Sequence, residues 1–142
     1  MLRKDYIMRM YEEFGKFLAT LFGLRKMGNW PELEELIKTS AQKYSLVEVE
    51  FAESLETKGL PEYLMKNHSL NSENLKMLGD LLYEKGLMYL ATDRAVAAKN
   101  AFQKVFVLYT YVQQNALESD FSLDMHNKLS NVKELLGLHD KA

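Results

Sequence analysis

The chain of 142 residues contains no cysteine and only two prolines. Without cysteine it cannot form disulfides, thiolate zinc sites or a cysteine nucleophile. Proline interrupts helices, and a hydrophobic content of 47% with a charged content of 27% is typical of a folded chain. The composition therefore favours a globular, helix-rich protein, and the length suits one domain that buries its own core.

An excess of charge of one sign and long apolar runs are also missing. The formal net charge is -2, and it is divided evenly between residues 1–70 and 71–142, so neither half resembles a basic nucleic-acid-binding arm. The longest uncharged run near the N-terminus, residues 17–24, is far shorter than a membrane span. We therefore predict a soluble, cytoplasmic protein that binds neither nucleic acid nor membrane.

Motifs of common catalytic and metal chemistry are absent as well. The glycines are too dispersed for a phosphate-binding loop, and no G-x-S-x-G nucleophile elbow occurs. None of His68, His126 and His139 has a glutamate three residues before it or a second histidine at helical spacing. Glu53 and Glu56 share a predicted helix face and could act as an acid–base pair, but we interpret them as a solvated surface. We predict no enzyme activity, no cofactor and no metal site.

Apolar residues recur at helical spacing along most of the chain. Residues 5–27 carry them every three or four positions, Gly28 ends this helix, and Asn29 with Pro31 begins the next. The pattern predicts an all-α single domain over residues 1–142. Its parts are a hairpin over residues 5–44, a linker with short helices over 45–70, a second hairpin over 71–118 and a C-terminal helix over 121–136.

One segment of the second hairpin has the composition of a strand. VFVLYTYV, residues 105–112, consists of residues that favour strands. A single strand without a partner leaves its backbone groups unsatisfied, so we predict a helix that is covered on several sides. Because the first helix is also apolar on more than one face, we predict a homodimer that buries either this first helix or the helix over residues 95–117.

Small residues stand in the second hairpin where helices usually carry bulk. Gly86 and Ala98 are predicted to mark the closest approach of its two helices, with Tyr89 and Phe102 beside them. Together with Leu82, these residues resemble the tetratricopeptide repeat, a helical hairpin with a period of about 34 residues. The resemblance implies tetratricopeptide-like, antiparallel helical hairpins.

The sequence departs from the repeat pattern at four positions. Lys85, Asp93, Val105 and Thr110 replace the usual leucine, the turn glycine, a late alanine and the closing proline. The first hairpin aligns with the pattern more weakly, around the turn at Gly28. DYIMRM and GNWPELEELI are similar to a group of uncharacterised bacterial proteins made of repeat-like hairpins, and membership would imply a fold and no activity.

The resemblance also implies a working surface. In tetratricopeptide-like hairpins the first helix lines the concave side, and the corresponding positions here are Leu18, Phe22, Arg25, Lys26, Tyr83, Leu87, Leu90 and Ala91. This implies a non-enzymatic protein–protein interaction module, an adaptor or assembly factor. Its groove would bind a peptide or helix that carries a bulky anchor and an acidic residue. The same residues are also compatible with a packed core.

A second hypothesis is a small regulatory or ligand-binding helical bundle. Its internal apolar pocket would be lined by Met77, Tyr83, Met88, Phe106 and Tyr109. A polar groove on the first helix of each hairpin would favour the interaction module, whereas a closed internal cavity would favour the ligand-binding bundle.

Overall fold

The computed structural model describes residues 2–115 and 122–137. These residues form helices and no strand, so the predicted all-α class is confirmed. Residues 116–118 of the predicted second hairpin, and residue 121 of the predicted C-terminal helix, lie outside the described ranges. The helices are α1 (Leu2–Lys26), α2 (Trp30–Ser40), α3 (Gln42–Ser45), α4 (Val49–Ser54), α5 (Leu60–His68), α6 (Ser72–Ala91), α7 (Ala95–Asn115) and α8 (Leu123–Leu135).

Local capping residues set the helix boundaries. The Asn29 side chain accepts a hydrogen bond from the backbone N–H of Glu32 at 3.4 Å, and Pro31 occupies the first turn of α2. Asn71 and Asn74 exchange side-chain and backbone hydrogen bonds in a reciprocal capping box at the start of α6. Because these contacts satisfy N–H groups that have no partner inside the helix, they determine where α2 and α6 begin.

The turn between α6 and α7 is built without glycine. Asp93 has a φ of 60°, in the left-handed region that aspartate tolerates better than most residues. The Arg94 N–H donates to the Tyr89 carbonyl at 2.8 Å, and Thr92 Oγ1 donates to the Met88 carbonyl at 2.9 Å. Asp93 thus has the conformation expected of the glycine that it replaces.

Helix α6 is the centre of the fold. Helices α1, α2, α3, α4 and α7 pack against it, and every residue over 77–86 is buried. Helix α7 contacts α4, α5 and α8 in addition to α6. Residues 105–112 are helical and lie within α7, so the strand alternative is wrong for this segment. Val105, Leu108, Tyr109 and Val112 of this segment are buried by helices of the same chain.

The two long helices α6 and α7 approach most closely at two glycines. A Cβ atom added at Gly86 would lie 2.5 Å from Cε1 of Phe102, and one added at Gly79 would lie 2.6 Å from Cε1 of Tyr109. The glycines are two helical turns apart, as are the rings, so both pairs fit one antiparallel register. The predicted close approach at Gly86 is confirmed. The predicted opposing residue was wrong, because Phe102 and not Ala98 supplies the nearest atoms.

Helix α1 is packed along only part of its length. Phe14 is buried and Phe17 half-buried, and both rings contact Tyr44, with centroid separations of 5.0 Å and 5.6 Å. Before Phe14, by contrast, Tyr6 and Met8 are exposed. The N-terminal half of α1 therefore carries apolar side chains that the described part of the chain leaves uncovered.

Candidate functional site

Four of the predicted binding residues lie near the C-terminal end of α1. The Phe22 ring is 47% exposed. Arg25 Cζ lies 4.9 Å and Lys26 Nζ 5.5 Å from the centroid of this ring, so two cations border it. Lys26 is exposed and Leu18 is half-buried. This end of α1 presents an aromatic ring in a positively charged setting.

The other four predicted residues lie on α6 and differ in exposure. Tyr83 packs edge-on against the Phe102 ring at 6.2 Å, and its hydroxyl accepts a hydrogen bond from Asn131 Nδ2 at 2.7 Å. The expectation that Tyr83 lies on an exposed surface was wrong, because α7 and α8 cover it. Exposure increases towards the end of α6 over the remaining three residues, Leu87, Leu90 and Ala91.

An ion pair joins the predicted α1 residues to α6. Arg25 Nε donates to Glu84 Oε1 at 3.0 Å, and Arg25 Nη2 lies 3.5 Å from Glu84 Oε2. The Glu84 side chain is buried, whereas that of Arg25 is partly exposed. Arg25 therefore fixes α1 to the central helix. Lys26 makes no ion pair within the described residues.

Sequence reasoning missed a set of buried charges. Asp80, Glu84 and Lys85 of α6 and Lys104 of α7 are all buried. Around Asp80, Glu84 and Lys85, helix α6 is apolar on every side, and a helix of this kind is enclosed by the fold. A charge within it must then be buried together with a partner, since an unpaired buried charge is very unfavourable. That signal was present in the sequence.

Asp80 has partners on three helices. The Tyr109 hydroxyl of α7 donates to Asp80 Oδ1, and Lys128 Nζ of α8 lies 3.4 Å from the same oxygen. Lys76 Nζ, one turn earlier on α6, lies 3.2 Å from Asp80 Oδ2. Lys128 also pairs with the exposed Asp124 at 3.2 Å. One buried carboxylate therefore connects α7 and α8 to the centre of α6.

The Asp80 cluster predicts a loss of stability at alkaline pH. Burial, and next the negative charge of Asp80, raise the pKa of Tyr109 well above its ordinary value of 10.0. A raised pKa stabilises the fold fully below the unfolded pKa, and this contribution is lost as pH rises through the folded pKa. We expect the free energy of unfolding to fall above about pH 10, and to fall less steeply in Tyr109→Phe. Urea unfolding across pH checks this, and equal slopes would contradict it.

A second buried cluster joins α4, α6 and α7. Glu53 Oε1 lies 3.0 Å from Lys85 Nζ, and Glu53 Oε2 accepts a hydrogen bond from the Tyr89 hydroxyl at 2.6 Å. The Glu53 carbonyl accepts a further bond from Asn100 Nδ2 at 3.1 Å. The interpretation of Glu53 and Glu56 as a solvated pair is correct for the exposed Glu56 and wrong for Glu53.

Lys104 lies beside this cluster without a carboxylate at ion-pair distance in the described residues. Its Nζ donates to Asn100 Oδ1 at 2.8 Å and to Thr57 Oγ1 at 3.3 Å. Burial lowers the pKa of Lys104, and the charge of Glu53 opposes this effect. Burial also acts to lower the pKa of Lys85, but contacts with Tyr89 and Glu53 outweigh it and raise that pKa.

The residues of the alternative internal pocket do not surround a common space. Met77 and Tyr109 are fully buried, and the Tyr109 ring packs directly against Gly79. Phe106 is half-buried and lines an open depression on the outer side of α7, together with Leu136 of the α8 terminus. The side chains that the hypothesis brought together therefore lie on different sides of α7.

Within the described residues, no three histidine, aspartate or glutamate side chains are grouped as a metal ion requires. Of the helices in residues 2–115 and 122–137, none is both long and apolar enough to cross a membrane. Comparisons with protein-family models, curated proteins and solved structures found no match to this chain. The resemblance to tetratricopeptide repeats therefore stays a prediction.

Proposed function

We propose that the protein is a non-enzymatic interaction module that binds an acidic segment of another protein. The binding residues belong to what we call the Phe22 surface, formed by Leu18, Phe22 and Lys26 of α1 with Leu87 and Ala91 of α6. The observation that carries the proposal is the exposed Phe22 ring with two cations beside it.

The residues of the Phe22 surface lie on one face of α1 and on one face of α6. On α1, Leu18 and Arg25 are two turns apart and lie on one side of the helix, with Phe22 between them. On α6, Leu87 follows Glu84 by three residues and therefore lies on the same side as the carboxylate that binds Arg25. The Arg25–Glu84 ion pair thus joins the C-terminal end of α1 to the face of α6 that carries Leu87.

The chemistry of the Phe22 surface favours an acidic partner with an apolar anchor. When a partner side chain covers a large exposed ring, apolar area is removed from water, and this contributes free energy to binding. Aromatic residues are common anchors of protein interfaces. Lys26 is exposed and makes no ion pair in the described residues, so a carboxylate of the partner can bind it without breaking an ion pair inside the chain. Arg25 adds positive charge while it holds Glu84.

The buried charges support a structural role in place of a catalytic one. No buried side-chain nitrogen or oxygen in the described ranges lacks a hydrogen-bond partner. The partners of Asp80, Glu84 and Lys85 come from α1, α4, α7 and α8, so these groups connect helices. This arrangement supports a protein whose surface, and not a reactive interior group, performs the function.

We also retain the homodimer as part of the proposal. Its contact would be the N-terminal half of α1, where Tyr6 and Met8 are exposed. Helix α7, the other predicted contact, already packs against α4, α5, α6 and α8. Pairing of α1 with a second copy is thus better supported than pairing of α7.

A photo-reactive phenylalanine analogue tests the Phe22 surface. With the analogue at Phe22 we expect a light-dependent cross-link to one partner in the native cell. The same analogue at Leu123, an exposed position of α8, should give none. The purified partner should then bind Phe22→Ala and Lys26→Glu less tightly by at least about 1 kcal/mol. Binding to Lys16→Glu, an exposed change elsewhere on α1, should be unaltered.

Two results would contradict the proposed function. One is equal cross-linking from both positions, and the other is unchanged affinity of Phe22→Ala and Lys26→Glu for the captured protein. Arg25→Glu and Tyr83→Ala are unsuitable tests, because Arg25 binds a buried carboxylate and Tyr83 is packed under α8. Both would perturb stability together with binding.

A further inference from the structure

Two surface depressions meet at the connection between α3 and α4. The first is partly enclosed, lies between α2 and α4 and reaches Lys85. The second is open and extends from the α3–α4 connection to His68 at the end of α5. Gln42, Glu48 and Glu50 line both depressions, which therefore form one continuous concave surface. We call it the α3–α4 surface.

Two large apolar side chains are exposed on the α3–α4 surface. Leu46 is 46% exposed, and its N–H donates to the Gln42 carbonyl at 2.7 Å, which fixes its backbone at the end of α3. Phe51 is exposed as well, and its ring packs edge-on against the His68 imidazole at 5.1 Å. His68 in turn contacts the Tyr63 ring at 5.7 Å. This row of rings keeps Phe51 at the rim of the depression.

Three carboxylates, Glu34, Glu48 and Glu50, line the α3–α4 surface together with Lys38 and Lys85. Glu48 and Glu50 are exposed, and neither side chain has an ion pair or hydrogen bond within the described residues. Glu34 is partly exposed and reaches Lys85 only at 4.0 Å. Lys38 is an exposed cation in the same lining. Two unpaired carboxylates thus stand beside exposed apolar side chains.

From this combination we infer that the α3–α4 surface binds a cationic amphipathic segment of another protein. The apolar side chains of the segment rest on Leu46 and Phe51, and its lysine or arginine side chains pair with Glu48 and Glu50. Charge complementarity selects this partner, because an acidic segment would meet unneutralised carboxylates here. The α3–α4 surface and the Phe22 surface therefore prefer partners of opposite charge, which would let one chain bind two different proteins.

A defined probe tests the α3–α4 surface. We would titrate the full chain against a fluorescently labelled peptide of leucine and lysine placed at helical spacing, and follow the anisotropy of the label. Saturable binding is expected. The double change Glu48→Lys and Glu50→Lys, and separately Phe51→Ser, should each raise Kd at least about tenfold. The matched change Glu12→Lys and Glu13→Lys, which alters net charge equally at exposed sites of α1, should leave Kd unchanged.

The outcomes separate this inference from the proposed function. Phe22→Ala should bind the leucine–lysine peptide as the parent does, even where it loses the acidic partner. Glu48 makes no side-chain capping bond to α4, so the double variant should keep its helical circular dichroism and its Tm. Absence of saturable binding, or equal weakening by the Glu12 and Glu13 changes, would overturn the inference.

A second copy of the chain is the competing occupant, and light scattering distinguishes it. The inference expects Glu48→Lys with Glu50→Lys to leave the mass of the protein in solution unchanged. A dimer that this double change dissociates, and that the peptide also dissociates, would overturn the inference and assign the α3–α4 surface to self-association.

Discussion

Replacing Gly86 with alanine is expected to lower the free energy of unfolding by about 3 kcal/mol. The added Cβ would lie 2.5 Å, 2.7 Å and 2.9 Å from three atoms of the Phe102 ring, all closer than van der Waals contact allows. Phe102 is buried between α6 and α7, so its ring cannot turn away into solvent. The helices must separate or the ring must leave its rotamer, and both weaken the largest contact in the fold.

The expected loss of stability is opposite to what helix propensity alone would give for a glycine-to-alanine change. Alanine is favoured over glycine in a helix interior by about 1 kcal/mol, so a loss of stability at Gly86 must come from the contact with Phe102. Gly15 of α1 gives the matched control, since a Cβ added there meets nothing within 4 Å. Gly15→Ala should raise the free energy of unfolding by up to about 1 kcal/mol. The same glycine-to-alanine change should therefore lower the free energy of unfolding at position 86 and raise it at position 15.

Urea denaturation of the two alanine variants measures this difference, and a rescue identifies its cause. Phe102→Leu removes ring atoms, so Gly86→Ala should cost less in the Phe102→Leu background than in the parent. Equal stability of Gly86→Ala and the parent, or an unchanged cost in the Phe102→Leu background, would show that the ring is not what excludes a side chain at this position.

The helices could be predicted because the features that define them are local. Asn29 and Asn71 bind backbone groups within three residues, and Asp93 forms its turn within the same segment. A short sequence window contains all of that information. The closeness of α6 and α7 at Gly86 was also recognisable, since both helices of the hairpin carry small residues, Gly86 and Ala98. Which residue faces it depends on the register of two packed helices, and no short window contains this.

The candidate surfaces were predicted only in part, for the same reason. The resemblance to a repeat placed Tyr83 on an exposed face, but Asn131 of α8, 48 residues away, binds its hydroxyl. Glu53 has the spacing of a solvated residue, yet it binds Tyr89, 36 residues later. The same resemblance placed Phe22 on an exposed face, and the ring is exposed in the structure. When a distant segment buries a side chain, the sequence pattern around that residue does not show it.

Asp80→Ala is expected to have a still larger effect, with the free energy of unfolding reduced by about 3–5 kcal/mol. The change leaves the Tyr109 hydroxyl, which is fully buried, without its acceptor, and leaves Lys76 and Lys128 without their shared carboxylate. A buried donor that loses its acceptor keeps the full penalty of its removal from water. Asp80→Asn should cost less, because an amide oxygen can still accept the tyrosine hydrogen bond.

Asp124 provides the matched control for Asp80, because both carboxylates pair with the same lysine. The Lys128 amine lies 3.4 Å from Asp80 and 3.2 Å from Asp124, but the Asp80 side chain is 0% exposed and that of Asp124 is 66% exposed. Asp124→Ala should therefore cost less than about 1 kcal/mol. If distance alone set the strength of these pairs, the two variants would unfold at similar urea concentrations, and that result would contradict the prediction.

A double-mutant cycle shows whether Asp80 acts through the tyrosine. In a Tyr109→Phe background the orphaned hydroxyl is gone, so Asp80→Ala should cost at least about 1 kcal/mol less than in the parent. Additive effects would mean that Asp80 stabilises the fold through its lysines alone. A coupling of the expected size would show that a hydrogen bond between two buried side chains, 29 residues apart in sequence, fixes α7 to the central helix.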